Sequence, residues 1–344
     1  FRRRAALEYA QEDFRIVGGE PGKGQHSVEF ELRGAGRSFP FFFRSADAIL
    51  EASNEAFLAC ALLPAMRAGV GVDLDGPVSA RFLKAGPRIV DIYTAWGPAL
   101  ERVAFPELLP VDRARAPSGR VGTFFSGGVD SFYSLLKHRD EITDLIFVHG
   151  FDISHDNEER FHRVDEALQE AASELGVGLV RVQTNLRATL RDFKWGLLGH
   201  GVAMAAVGHL LAPVFDRIYI PSTASYAQLT PWGTHPLLDP LWSTEALEFI
   251  HDGCEANRPQ KTAFIAASDI ALRYLRVCFT NRDDIYNCAR CEKCLRTMIH
   301  LEAVGRLGQC PTFDKPLNAR SIQKLRADDS NRGYFAESLV TLEE

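Results

Sequence analysis

An α/β protein with a parallel sheet is the fold class this sequence predicts, and three observations carry the prediction. After the breaker cluster Ala116-Pro117-Ser118-Gly119, short apolar runs alternate with helical patterns. The segment lengths are those of right-handed βαβ units. The first apolar run ends in a glycine-rich turn, Ser126–Ser131, where such folds bind ligands. Ahead of the cluster the rhythm is strand-rich. The expected division is therefore an α+β N-terminal domain over 1–116, a parallel-sheet domain over 117–310 and a tail over 311–344.

Each element has its own signal. His26–Arg33 sets Val28, Phe30 and Leu32 against Ser27, Glu29 and Glu31, which is a half-buried strand. Gly34-Ala35-Gly36 is a turn and Arg37–Arg44 its partner strand, so a hairpin is expected. Ala56–Ala68 reads as a helix, and Pro87–Pro98 is expected to contain another. The many phenylalanines here suit core packing. In the second part, Arg120–Phe125 is a short strand and Ser131–His138 a helix. Asp144–His149 is a strand apolar enough to be buried on both faces. Glu159–Leu175 places Phe161, Val164, Leu168, Ala171 and Leu175 on one helical face, and Gly176 caps it. Gly178–Gln183 is a strand, Leu197–Phe215 an apolar helix and Arg217–Ile220 a fourth strand. Ala327–Arg332 is polar enough for a loop.

Composition narrows the function classes. The 344 residues are 46% hydrophobic and 24% charged, enough to build a full core. The net charge of −6 gives no bulk attraction to nucleic acid or to an anionic membrane. The most apolar stretches, Ala56–Met66 and Gly201–Phe215, are too short to span a bilayer. No secretory signal pattern opens the sequence. Seven cysteines, an odd number, argue against a disulfide framework. A soluble cytoplasmic protein is expected.

The turn Ser126-Gly127-Gly128-Val129-Asp130-Ser131 is built for an anion. Two glycines let successive backbone N–H groups converge, and the following helix adds its positive N-terminal end. Ser126 and Ser131 can donate to phosphate oxygens, while Asp130 suits a Mg²⁺ shared with the phosphates. The sequence holds neither a Walker A motif nor GxGxxG. SGGVDS after a first strand resembles the pyrophosphate (PP) loop of the ATP pyrophosphatase superfamily. That resemblance implies a Rossmann-like domain that binds ATP through Ser126, Gly127, Gly128, Val129, Asp130 and Ser131. It also implies cleavage between the α and β phosphates, with AMP passing to a substrate oxygen.

Cys278, Cys288, Cys291 and Cys294 read C-x9-C-x2-C-x2-C, a spacing that turns four thiolates onto one structural Zn²⁺. An iron–sulfur centre uses the same ligands. The loop followed by this cysteine knot resembles the 7-cyano-7-deazaguanine synthase family. The family implies ATP-dependent adenylation of a carboxylate or amide oxygen, then attack by ammonia or an amine. The sequence departs from the family pattern at His149-Gly150-Phe151-Asp152 and at Leu198-Gly199-His200-Gly201.

Further candidates lie at the expected carboxyl edge of the sheet. His149 and Asp152 are placed for adenine or substrate, and Ser222–Ser225 similarly. The loop Thr234–Ser243, with His235 and Asp239, is long enough to cover a substrate. Lys261 is expected to act with Asp130 by neutralising the α-phosphate, and Lys293 and Arg296 border the knot. The acceptor is a small molecule or a protein. The N-terminal part is expected to cover the active-site edge, to dock such an acceptor, or to stabilise the fold or a homodimer. Two other readings stand beside adenylation. ATP-dependent sulfur transfer would need a persulfide on Cys60, Cys254 or Cys310. A non-catalytic nucleotide-binding module would need no reactive group at all.

Overall fold

One nine-stranded sheet runs through the molecule. In the computed structural model, residues 12–20, 24–280, 285–323 and 336 are described. The strands are β1 (Phe14–Gly18), β2 (Ser27–Gly34), β3 (Arg37–Arg44), β4 (Val72–Asp73), β5 (Val121–Phe124), β6 (Asp144–His149), β7 (Gly178–Thr184), β8 (Arg217–Pro221) and β9 (Glu248–Asp252). Their spatial order is β9-β8-β5-β6-β7-β3-β2-β1-β4. From β9 to β7 every pairing is parallel. The hairpin β2–β3 joins antiparallel, through Gln183↔Arg44 and Thr184↔Phe43.

Helices cover both faces, as a parallel sheet requires. On one face lie α1 (Asn54–Ala68), α2 (Ala80–Trp96) and α5 (His200–Leu210). On the other lie α3 (Val129–Lys137), α4 (Glu158–Leu175), α6 (Arg258–Ala266) and α7 (Asp269–Tyr274), with α8 (Glu292–Ala303) packed on α6. The central strand β6 shows why its sequence is uniformly apolar. Leu145 and Phe147 enter one core, and Ile146 and Val148 enter the other.

The separation expected at 116/117 gives way to a shared sheet and core. Phe14, Phe30, Phe43 and Phe57 belong to the same cluster as Ile146, Val180, Phe215 and Phe249. The physical reason is that α1 and α5 are apolar on all sides. Every residue from Asn54 to Met66 is buried, and α5 packs directly on α1. Neither helix can face water, so the two parts of the chain bury each other.

Other expectations shift locally. α2 begins seven residues before Pro87, because Ser79 caps it by accepting from the Phe82 N–H at 3.1 Å. The helix expected over Leu197–Phe215 is a π-turn, Trp195–Gly199, followed by the shorter α5. Gly201 explains the close docking at its start, since a Cβ there would lie 1.7 Å from the Gly233 carbonyl oxygen. Gly176 does cap α4 in the left-handed conformation, at φ +62°. β9 was not expected from sequence, because Glu248–Asp252 (EFIHD) carries only two apolar residues. No helix among the described residues is long and apolar enough to cross a membrane. The polar stretch Ala327–Arg332 lies outside the described residues.

Candidate functional site

β5 continues into β6 on one side, while β8 returns to its other side, so the carboxyl end of β5 is a topological switch point. The Ser126–Ser131 loop stands there, between β5 and α3. Gly127 adopts φ +76°, a conformation that favours glycine. Gly128 is the extended N-cap of α3 and, among the described residues, no side chain caps that helix. A Cβ on Gly128 would stand 3.2 Å from Ser126 Oγ, and Ser131 Oγ donates to the Gly128 carbonyl at 3.0 Å. The turn is thus narrow, and the first N–H groups of α3 carry the positive end of its dipole.

Three buried cations surround this loop. Arg258 Nη2 donates to Asp130 Oδ2 at 2.7 Å. Lys261 is fully buried, donates to the Ser222 carbonyl at 2.7 Å and stands 3.6 Å from Asp130 Oδ1. Both come from the first turn of α6, whose start is fixed by an Asn257–Gln260 capping box. Arg276 approaches from the other end. Its backbone N–H donates to the Gly127 carbonyl at 2.7 Å and its Nη1 to the Ser126 carbonyl at 3.3 Å. The Arg276 side chain is 3% exposed, and its Nε and Nη2 are buried without a hydrogen-bond partner among the described residues. Its carboxylate neighbour, Asp152, is 4.0 Å away and 56% exposed. Asp130 is a half-buried carboxylate paired with Arg258 and Lys261, and its buried Oδ1 has no hydrogen bond among the described residues. Burial pulls the Lys261 pKa below its ordinary value, against the attraction of Asp130. The result is local positive charge in excess of the carboxylates that face it.

His149 ends β6 with its ring stacked on Phe161 at 4.2 Å, and its Nε2 is 2.8 Å from the Ser154 carbonyl. Burial lowers its pKa, and the geometry makes it the anchor of the turn at 150–154. Asp239 is fully buried, accepting from the His235 N–H at 3.1 Å and pairing with His251 Nδ1 at 2.6 Å. Arg296 pairs with Glu292 within α8, and Lys293 lies over the Phe279 ring. Arg258 and Arg276 were missed in the sequence. The available signal was Arg276 itself, a charge set between Leu275 and Val277 in an apolar run.

The cysteine knot closes around one point. The sulfurs of Cys278, Cys288, Cys291 and Cys294 all lie within 4.8 Å of one another. Cys288 and Cys294 are 3.9 Å apart, and Cys278 and Cys291 are 4.0 Å apart. A tetrahedral ion with bonds of about 2.3 Å needs sulfurs roughly 3.8 Å apart, so the four cysteines can hold a single metal ion such as zinc. The chain prepares this locally. Asn287 Oδ1 accepts from the N–H groups of Val277 and Cys278, and its Nδ2 donates to Leu275, which locks the first ligand's segment. Ala289 takes φ +51° to turn the link between Cys288 and Cys291, and Cys291 is the N-cap of α8. The set is mostly buried, which suits a structural role. Compared with protein-family models and with curated proteins, the chain finds no match in either.

Proposed function

We propose that this protein is an ATP-dependent adenylating enzyme of the PP-loop kind, activating a carboxylate or amide oxygen for attack by ammonia or an amine. The likeness to 7-cyano-7-deazaguanine synthases rests on the SGGVDS loop together with the cysteine knot. The observation that carries the reading is the unbalanced cluster of Arg258, Lys261 and Arg276 around a glycine loop at a helix N-terminus. Such a cluster calls for a polyanion, and a pyrophosphate group is one.

In this reading the β and γ phosphates rest on the N–H groups of the loop and on Arg276. Lys261 neutralises charge growing on the α-phosphate. The acceptor oxygen attacks the α-phosphorus, the bond to the bridging oxygen breaks, and pyrophosphate leaves with the electron pair. Asp130 Oδ1, a buried oxygen without a hydrogen bond among the described residues, is the atom that would hold Mg²⁺, which would supply further charge neutralisation. The protein's contribution is positioning and electrostatics rather than covalent attack on phosphorus. The knot would hold Zn²⁺ as a structural ion.

The test is to incubate the protein with ATP, Mg²⁺ and a metabolite extract. AMP and pyrophosphate should appear in equal amounts, and Asp130→Asn should lower their rate by at least about 10²-fold. ADP and phosphate as products, or an unaffected variant, would overturn the proposal.

A further inference from the structure

We propose that Cys254 is a nucleophile that takes the activated acyl group from the adenylate as a thioester, before ammonia or an amine receives it. The inference rests on the adenylation reading and adds a covalent step to it.

Cys254 lies two residues beyond the end of β9, on the same sheet edge as the Ser126–Ser131 loop. Its Sγ donates to Ser222 Oγ at 3.3 Å. The Ser222 carbonyl holds Lys261, and Lys261 stands 3.6 Å from Asp130. Two side chains therefore link the thiol to the phosphate loop. Behind the thiol is His251, whose Nδ1 is 2.6 Å from Asp239 Oδ2, with both side chains almost wholly buried. That bond leaves His251 Nε2 buried with no hydrogen-bond partner among the described residues, and the Cys254 thiol, three residues on, is near enough for the two groups to influence each other's charge. Carboxylate, imidazole and thiol in this order form the arrangement that activates a cysteine.

The electrostatics agree with the geometry. Burial opposes a thiolate at Cys254, but His251, Ser222 and Lys261 together draw its pKa below the ordinary thiol value. The other two cysteines outside the knot are pushed the opposite way. Cys60 is sealed in α1, and Cys310 donates to the Leu272 carbonyl at 3.2 Å. Cys254 is buried, and the Tyr226 N–H donates to its carbonyl at 2.7 Å, which ties the turn at 222–228 to it.

In the step itself, the Cys254 thiolate attacks the acyl carbon of the adenylate. The S–C bond forms, the C–O bond to AMP breaks, and AMP leaves with the electron pair. Ammonia or an amine then attacks the thioester. The N–C bond forms, the C–S bond breaks, the thiolate returns beside protonated His251, and the nitrogen releases one proton to water.

The experiment supplies acetyl adenylate to the full-length protein, which bypasses the ATP-dependent half-reaction. The expected result is AMP release with one acetyl group on Cys254, removable by neutral hydroxylamine and missing from Cys254→Ser. In parallel, iodoacetamide at pH 7 should modify Cys254 at least tenfold faster than Cys60 or Cys310, and His251→Asn should remove most of that advantage. Serine is close in size and retains a hydroxyl for Ser222, and alkylation of the unaltered protein needs no variant at all. Acetyl on other residues only, or a Cys254 no more reactive than Cys60, overturns the inference. Thioester formation in a protein that never splits ATP would instead sink the adenylation reading and leave the nucleophile standing.

Discussion

Lys261 and Arg276 are the residues on which the phosphate site turns, because each is a buried cation with incomplete compensation. Lys261→Met keeps much of the volume and removes the charge. We expect pyrophosphate release to fall by roughly 10²-fold while the thermal transition moves little, as an ammonium that stabilises developing charge would require. Equal turnover in the variant would show that Lys261 only fills space. The Asp239–His251 pair carries a separate expectation. Burial disfavours the charged imidazole, yet the bond to Asp239, with the influence of the nearby Cys254, raises its pKa to about 9. A group raised on folding adds stability that is complete below its unfolded value, near 6.5, and is lost as pH climbs through about 9. The stability gap between the wild type and Asp239→Asn, measured by urea titration, should therefore be widest near pH 6 and shrink toward pH 10. A gap that grows with pH would contradict the pairing. Asp239 was legible as a candidate because it sits in a long loop. His251 was not, since its strand has too few apolar residues to announce itself.

At the scale of elements, glycines and caps decide where side chains are delivered. Gly150 follows β6 at φ +118°, and a Cβ there would lie 1.9 Å from the Thr184 carbonyl oxygen. Because that obstacle is backbone, Gly150→Ala should destabilise the fold by several kcal/mol, of order 3, and lower the melting temperature by more than about 5 °C. A variant melting within a degree of the wild type would mean that the β6–β7 edge yields easily. The cysteine knot is the second such element. Pure protein should contain about one zinc per chain, and Cys288→Ser should lose the metal and aggregate. Visible absorption with iron, or a metal-free and well-folded protein, would refute that. The strands flanking the loop were readable because β6 is buried on both faces, and the knot because its spacing is tight. Arg258 and Arg276 were not readable, since only the docking of α6 and of the 275–277 segment onto the loop turns two ordinary arginines into a site.

For the whole molecule, the continuous sheet changes what the first 116 residues do. The hairpin β2–β3 was evident from alternation, but its union with β7 rests on only two register pairs, Gln183↔Arg44 and Thr184↔Phe43, which no local pattern encodes. A protein beginning at Arg120 would expose the β7 edge and strip α5 of its partner α1. It should be insoluble on expression, because a bare strand edge and a helix apolar on all sides both favour association. A soluble, folded fragment would restore the picture of two independent domains. The central claim is that the Ser126–Ser131 loop with its cations receives the phosphates of ATP. Calorimetry with α,β-methylene ATP and Mg²⁺ tests it most directly, since this analogue needs no acceptor and cannot be split between the α and β phosphates. The account predicts binding of one molecule per chain, weakened at least about tenfold by Arg276→Met. Failure of the wild type to bind, or equal affinity in the variant, would contradict it.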